Sequence, residues 1–319
     1  MVKKPVVFLD EVQNIPHWDK FVRRLADAKY RVYVTGSNAK MLSKEVATTL
    51  GGRFFICDAY PYSFKEYLAA QQVELREHWE YDTIQRSEVK RHLKEYFYYG
   101  GLPEILSFKN KRAMLSSLYQ KIYLGDICAR NNIKNDRVLN ILIKKMAESV
   151  KQPLSYNRLK NVIVATGAPI SVPTTIDYVD YAADSWLILP MENEIGKLTE
   201  KEMQKKYYFV DNGLLNLFLM NSETSLLENM VAVELCRRCG KKNVFFLNAE
   251  KEIDFVVPDE KLAIQVSYSI KDETTYNREV LPLVKYAKAH EDWKCLLLTY
   301  DEESTEEEIP VVPVWKWLM

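Results

Sequence analysis

The pair Asp10-Glu11 is the first place in this sequence where side chains of the right type stand together for chemistry. The two carboxylates end an unbroken apolar run, Val6-Val7-Phe8-Leu9. A carboxylate held at a strand end can ligate Mg²⁺, and a glutamate beside it can polarise a water that attacks a phosphoryl group. A core strand followed by a solvated acidic turn has the same pattern. Arg53, in Leu50-Gly51-Gly52-Arg53-Phe54-Phe55, is an arginine held by a glycine turn beside an apolar run. Such an arginine can reach a phosphate in its own subunit or a neighbour's. Cys236 and Cys239 form a lone C-x-x-C. Zinc needs a second ligand pair, which neither the other cysteines nor the four histidines supply at suitable spacing. Cys57, Cys128 and Cys295 stand alone among apolar residues and read as buried thiols.

These residues need elements to position them. The run Val6 to Leu9 reads as a strand buried on both faces. Trp18, Phe21, Val22 and Leu25 recur at helical spacing over 18–28. A second strand over 31–35 leads to Gly36, Ser37 and Asn38; Ser37 or Asn38 can cap a helix continuing through Met41 and Leu42. A third apolar strand is expected at Phe54-Phe55. Helices over 87–99 and 112–126 are separated by Gly100-Gly101-Leu102-Pro103, and Leu115, Leu118, Tyr119, Ile122 and Tyr123 form one apolar stripe. Three helical patterns follow over 138–149, 155–166 and 173–185. A strand over 186–191, a charged stretch over 192–206 and a strand over 207–210 complete the plan of a winged helix. Asp177, Asp180 and Asp184 line one face of its third helix, which carries no Lys or Arg. That stripe repels phosphate-lined groove walls. The wing lysines Lys197, Lys201, Lys205 and Lys206 alternate with Glu, so packing or protein contact is expected ahead of DNA reading.

The order strand-Asp10-Glu11-x-Gln13, strand-Thr35-Gly36-Ser37, Gly52-Arg53, then Pro61-Tyr-Ser-Phe64-Lys-Glu66-Tyr67 and Tyr99-Gly-Gly-Leu-Pro-Glu104 resembles a family of bacterial and archaeal AAA-type ATPases. In that family a C-terminal domain of unknown function follows the ATPase core, and the resemblance covers essentially the whole chain. It implies that Val6 to Glu11 is a Walker B strand, with Asp10 the ligand of ATP-bound Mg²⁺ and Glu11 the water-polarising base. It further implies Ser37 or Asn38 as the γ-phosphate sensor and Arg53 as an arginine finger. One departure stands out. The family's P-loop, G-x-x-x-x-G-K-[ST], whose amides and lysine cradle phosphates, is not matched by any of the ten glycines, and nine residues precede Asp10. The expectation is an N-terminal truncation that removes a P-loop strand lying between the Walker B and sensor strands, leaving a chain that binds ATP weakly or not at all.

Glu228 opens a later helical pattern, Asp254 lies in the strand pattern Glu252-Ile-Asp254-Phe-Val-Val257, and Gln265-Val266-Ser267 lies in the next. This α/β order resembles the PD-(D/E)xK nuclease core. The resemblance implies a helix Glu and a strand Asp that bind Mg²⁺, with a Glu-x-Lys on the following strand. Gln265 is a poorer Mg²⁺ ligand than a carboxylate, and Ser267 supplies no cation. Glu252, on the same strand face as Asp254, and Lys261 or Lys271, moved into the gap, are the available substitutes. The site is expected to be degenerate and its fold a scaffold. The acidic stretch 301–308 reads as a solvated loop before a proline-punctuated edge strand over 309–315.

Lysine plus arginine and aspartate plus glutamate number 44 each, which removes any global charge argument for nucleic acid or an anionic membrane. No apolar run reaches the roughly 18 to 20 residues of a membrane span, and the N-terminus has no signal-peptide core, so a cytoplasmic protein is expected. The fold class is α/β: a partial P-loop ATPase sheet, a helical and winged-helix module, and an α/β restriction-endonuclease-like domain. The expected divisions are 1–70 partial ATPase core, 71–135 helical connector, 136–212 winged-helix-like module and 213–319 degenerate nuclease-like domain. The leading expectation is an AAA-type regulatory or remodelling protein whose family uses ATP and Mg. Its partners would be a second copy of the chain or another protein. The alternatives are a nucleic-acid-binding protein and a metal-dependent nuclease.

Overall fold

The computed structural model describes residues 4–12, 15–36, 51, 53–248, 252–305 and 308–319. Among them are twelve α-helices and sheets of two, three and five strands, a mixed α/β chain.

At the N-terminus β1 (Val6–Leu9) and β2 (Arg31–Val34) pair in parallel, Val6 opposite Arg31 and Leu9 opposite Val34, joined by helix α1 (Trp18–Asp27). The two strands bond directly to each other, so no strand lies between them, contrary to expectation. A ladder at about 4.8 Å spacing uses the facing N–H and C=O groups of both. Helix α1 covers one side, where Val12, Trp18 and Val22 are buried against Leu9, Val32, Val34 and Phe54. On the other side Val6, Phe8 and Tyr33 are exposed, with Phe8 74% accessible and stacked on Tyr33 at 5.1 Å between ring centroids. The expected burial on both faces is therefore not found. Period-two alternation separates Val6 and Phe8 from Leu9, and α1 packs on the Leu9 side. Nor does the third strand form at Phe54-Phe55: the backbone there is irregular and Phe55 is 99% exposed. Cys57, expected to be buried, is exposed on the same segment.

The chain then enters its main core. Helix α2 (Phe64–Ala70) starts at a capping box, with Ser63 Oγ accepting from Glu66 N (3.2 Å) and Glu66 Oε2 accepting from Ser63 N (2.7 Å). Helix α3 (Thr83–Tyr99) is capped by Asp82, and α4 (Lys111–Gln120) continues as wider π-type turns over Lys121–Ala129. Helices α5 (Asp136–Glu148), α6 (Tyr156–Ala165) and α7 (Val172–Asp184) follow. They pack with a three-stranded antiparallel sheet, ordered β3 (Leu154–Ser155), β5 (Gln204–Phe209), β4 (Ile188–Met191). The charged stretch 192–206 is not all loop, because α8 (Leu198–Met203) forms within it and β5 begins at its end.

After α9 (Asn212–Asn216) and α10 (Glu223–Cys239) comes the five-stranded sheet, with spatial order β10, β9, β8, β7, β6. Its strands are β6 (Phe245–Asn248), β7 (Glu252–Val257), β8 (Leu262–Ser267), β9 (Lys294–Thr299) and β10 (Val311–Pro313), with α11 (Glu273–Ala289) between β8 and β9. Strands β8, β9 and β10 run parallel, while β6 and β7 are antiparallel to their neighbours. The chain ends in α12 (Val314–Trp317). One continuous cluster of buried side chains runs from Phe64 to Leu318, so connector, three-stranded module and five-stranded sheet share a core. The two sheets are also sewn together. Just past β4, Glu194 N donates to Phe246 O (2.8 Å) and Phe246 N to Glu192 O (3.1 Å).

Candidate functional site

Parallel pairing brings the C-terminal ends of β1 and β2 side by side, so Asp10 and Glu11 stand next to Thr35 and Gly36. The Thr35 hydroxyl donates to Asp10 Oδ1, and Glu11 N donates back to Thr35 Oγ1 at 3.3 Å. Thr35 N to Leu9 O (2.9 Å) and Val12 N to Thr35 O (3.3 Å) continue the link past the strands. Glu11 has φ 51°, a left-handed backbone that costs a non-glycine residue on the order of 1 kcal/mol and turns the chain out of β1. Both carboxylates are exposed at the carboxyl end of parallel strands, where open α/β sheets bind ligands. Asp10 suits a Mg²⁺ that takes one or two protein carboxylates and draws its remaining ligands from nucleotide phosphates and water.

Thr35 was not singled out in the sequence; its signal is a hydroxyl at the point where an apolar strand meets Gly36. Ser37, Asn38 and Gln13 lie outside the described residues. Arg53 pairs with Asp27 (3.1 Å) in the last turn of α1, beside the start of β2. That pairing holds it toward the opposite end of the strands from Asp10.

The second cluster is buried. Alternation along β5 puts Lys206 and Tyr208 on the face toward α10 and β7. Lys206 Nζ lies 3.1 Å from Glu228 Oε1, 2.9 Å from Glu252 Oε1 and 3.4 Å from Asp254 Oδ1. The Lys206 side chain is 0% exposed, Glu228 5% and Asp254 9%, whereas Glu252 is 41% exposed. Tyr208 OH donates to Glu228 Oε1 at 2.8 Å, and Phe246 presents its ring 5.7 Å from the ammonium. Burial raises the Asp254 pKa, helped by the negative charge of Glu228 and opposed by Lys206. The same three carboxylates raise the pKa of Lys206 against its burial, so it stays charged.

Helix α10 is docked on β5 by the neighbour of Glu228. Asn229 Oδ1 accepts from Phe209 N (2.7 Å) and its Nδ2 donates to Phe209 O (2.9 Å), matching one backbone unit as a strand would. Gln265 does not point a free oxygen at the cluster. Its Oε1 accepts from Asp254 N (3.2 Å) and its Nε2 donates to Glu279 on α11 (2.6 Å). A glutamate there would set a carboxylate against Glu279. Ser267 Oγ donates to Ser269 O (2.9 Å).

Of the two lysines named as substitutes for the missing cation, Lys261 pairs with Asp292. The lysine that stands against Glu228 and Asp254 is Lys206, from a strand that the sequence assigns to an exposed wing. Correspondingly, Lys206 is not available to touch a nucleic-acid backbone, and Lys205 is held by Glu192 (3.0 Å) and Glu202 (3.3 Å). Among the described residues no three His, Cys, Asp or Glu side chains are arranged to hold a metal ion. Cys236 and Cys239 are both free thiols.

The chain is mixed α/β, and its first residues are AAA-related. Residues 1–68 match the family described as "AAA domain", and residues 90–225 match "Domain of unknown function (DUF8612)". The chain is 32% identical over 333 positions to "Uncharacterized protein MJ1544" of Methanocaldococcus jannaschii, covering 98% of this chain and 74% of that protein. It is 31% identical over 328 positions to an "Uncharacterized protein" of Haemophilus influenzae, covering 99% and 78%. The chain belongs to the family of these two proteins, as an AAA-type chain continued by a domain of unknown function. Among the described residues no helix is long and apolar enough to cross a membrane.

Proposed function

We propose that residues 1–70 form the metal-and-water half of an ATP site in an AAA-type regulatory or remodelling protein. Asp10 holds the Mg²⁺ of the nucleotide, Glu11 polarises the attacking water, and Thr35 fixes the Asp10 carboxylate. The observation that carries this reading is the Thr35 to Asp10 hydrogen bond across the ends of two parallel strands, within the residues that match an AAA domain. Ser37 or Asn38 remains the proposed sensor. The pairing of Arg53 with Asp27 favours a finger that serves a neighbouring subunit over one that serves its own. Residues 71–135 serve as connector, 136–212 as a winged-helix-like module in protein contact, and 213–319 as a nuclease-like scaffold. The buried Lys206 and the paired Lys205 support contact with protein over contact with DNA.

The 319 residues contain no G-x-x-x-x-G-K-[ST], and a Walker B strand without that loop has a metal ligand but little grip on phosphates. Calorimetric titration of this chain with Mg·ATP is therefore expected to show no saturable binding in the micromolar range. Saturable micromolar binding that disappears in Asp10→Asn would overturn the half-site reading.

A further inference from the structure

The cluster around Lys206 has the helix Glu and strand Asp that a nuclease-like fold uses for Mg²⁺, yet its geometry suits a different cation. Mg²⁺ takes oxygen ligands at about 2.0–2.1 Å in an octahedron. Here three carboxylates stand 2.9, 3.1 and 3.4 Å from one nitrogen, which are hydrogen-bond and ion-pair distances. An ammonium has three donors and no acceptor; here it donates to Glu228 and Asp254, and Glu252 adds an ion pair at 2.9 Å. Two of the carboxylates have further donors, since Asp254 Oδ2 accepts from Val266 N (2.9 Å) and Glu228 Oε1 accepts from Tyr208 OH (2.8 Å). Gln265, in the third ligand position, is spent on Asp254 N and Glu279. The residues present do not fit a bound divalent ion while Lys206 is in place.

We propose that Lys206 is the resident cation of this site: its ammonium stands where a divalent ion would stand and locks Glu228, Glu252 and Asp254 in a metal-free arrangement. The lock has a structural consequence. Lys206 belongs to the three-stranded sheet, Glu228 to α10, and Glu252 and Asp254 to the five-stranded sheet, so one buried charge clasps three elements. It also explains why a lysine tolerates full burial, because it has three partners where an ordinary ion pair has one. The proposal stands independently of the ATP reading, which concerns residues more than a hundred positions away in the chain.

The test uses the full chain, with Mn²⁺ as the probe. In wild type, Mn²⁺ should leave the thermal midpoint unchanged, and no stoichiometric Mn²⁺ binding should depend on Asp254. Lys206→Ala removes the ammonium and leaves room for a hydrated ion. In metal-free buffer its midpoint should fall by roughly 5–10 °C, because two buried carboxylates and the half-exposed Glu252 lose their counter-charge. Added Mn²⁺ should restore most of that loss, and should fail to do so in Lys206→Ala/Asp254→Asn. If Lys206→Ala does not fold without metal, it should refold with Mn²⁺, and Lys206→Ala/Glu228→Gln, relieved of one carboxylate, should fold without it. Three results would overturn the proposal: a wild-type Mn²⁺ site that vanishes in Asp254→Asn, a folded Lys206→Ala whose midpoint ignores Mn²⁺, or failure of both rescues.

Discussion

Asp211 shows how burial sets the behaviour of one residue. It is 3% exposed, and its carboxylate accepts from Gly101 N (2.7 Å), Gly213 N (2.8 Å) and Leu214 N (3.4 Å). Burial raises its pKa from 3.8 to about 6, and these backbone donors offset only part of the rise. The folded protein therefore holds this proton more tightly than the unfolded chain does. The contribution of Asp211 to stability falls as pH rises from about 4 to about 6 and stays at the lower level above that. A shift of about 2 units corresponds to about 3 kcal/mol. Asp211→Asn cannot titrate, so the change in unfolding free energy between pH 4 and pH 7 should differ from that of wild type by about that amount. Urea titrations of both proteins at the two pH values check it, and parallel pH profiles would refute the assignment. Gln265 makes a comparable point about identity: an amide, with one acceptor and one donor end, satisfies both Asp254 N and Glu279, whereas a carboxylate would satisfy only the first.

At the scale of elements, the turn Tyr99-Gly-Gly-Leu-Pro-Glu104 is a packed junction. Gly100 adopts φ 76°, and a Cβ on Gly101 would lie 2.2 Å from the backbone oxygen of Tyr62. Tyr62 N donates to Gly101 O (2.8 Å), so the end of α3 and the segment leading into α2 run in backbone contact, with Asp211 pressed on the other side. Gly101→Ala should thus cost about 3 kcal/mol or more, since backbone cannot move aside as a side chain can. Gly125, inside the π-type turns that follow α4, has nothing within 4 Å of its would-be Cβ. Gly125→Ala should leave the fold intact and raise stability by about 0.5–1 kcal/mol through lost backbone freedom in the unfolded chain. Chemical denaturation of the two variants side by side separates the effects. A Gly101→Ala protein as stable as wild type would mean that the close approach to Tyr62 is not obligatory.

The whole molecule divides by its buried clusters. From Phe64 onward one large apolar cluster joins most helices, the three-stranded sheet and one face of the five-stranded sheet, and a second lies between that sheet's other face and α11, while β1, α1 and β2 rest on three buried side chains and the partial cover of four more. Opening free energy follows buried apolar contact. In hydrogen–deuterium exchange, amides of Val6–Leu9 and Arg31–Val34 should exchange well before those of β7, β8 and β9, which lie inside the five-stranded sheet. Equal protection of the two regions would show that the N-terminal unit is as firmly held as the main core. The exposed Phe8–Tyr33 stack lies on the face of β1 and β2 away from α1, so the same experiment reads directly on the unit that carries Asp10 and Glu11.

Much of this protein is legible in local sequence. The apolar run ending in Asp10-Glu11, the helix spacing of Trp18 and Val22, the glycine turn at 100–101, and the α/β alternation around Glu228 and Asp254 all follow from periodicities of 3.6 and 2 and from turn chemistry, which depend on near neighbours. Three features were decided elsewhere. Burial of both faces of β1 failed because alternation reports which residues share a side, not whether anything covers it. The direct pairing of β1 with β2 is a choice of strand order, on which local pattern is silent. Lys206 closes a charged stretch and so reads as part of a solvated wing, yet its partners Glu228 and Asp254 lie 22 and 48 residues further along. The near-continuous apolar run Tyr207-Tyr208-Phe209 beside it did signal a buried strand. That three carboxylates would await its ammonium followed only from the packing of the two sheets against α10, because a charge enters a core only where distant parts of the chain bring enough opposite charge to meet it.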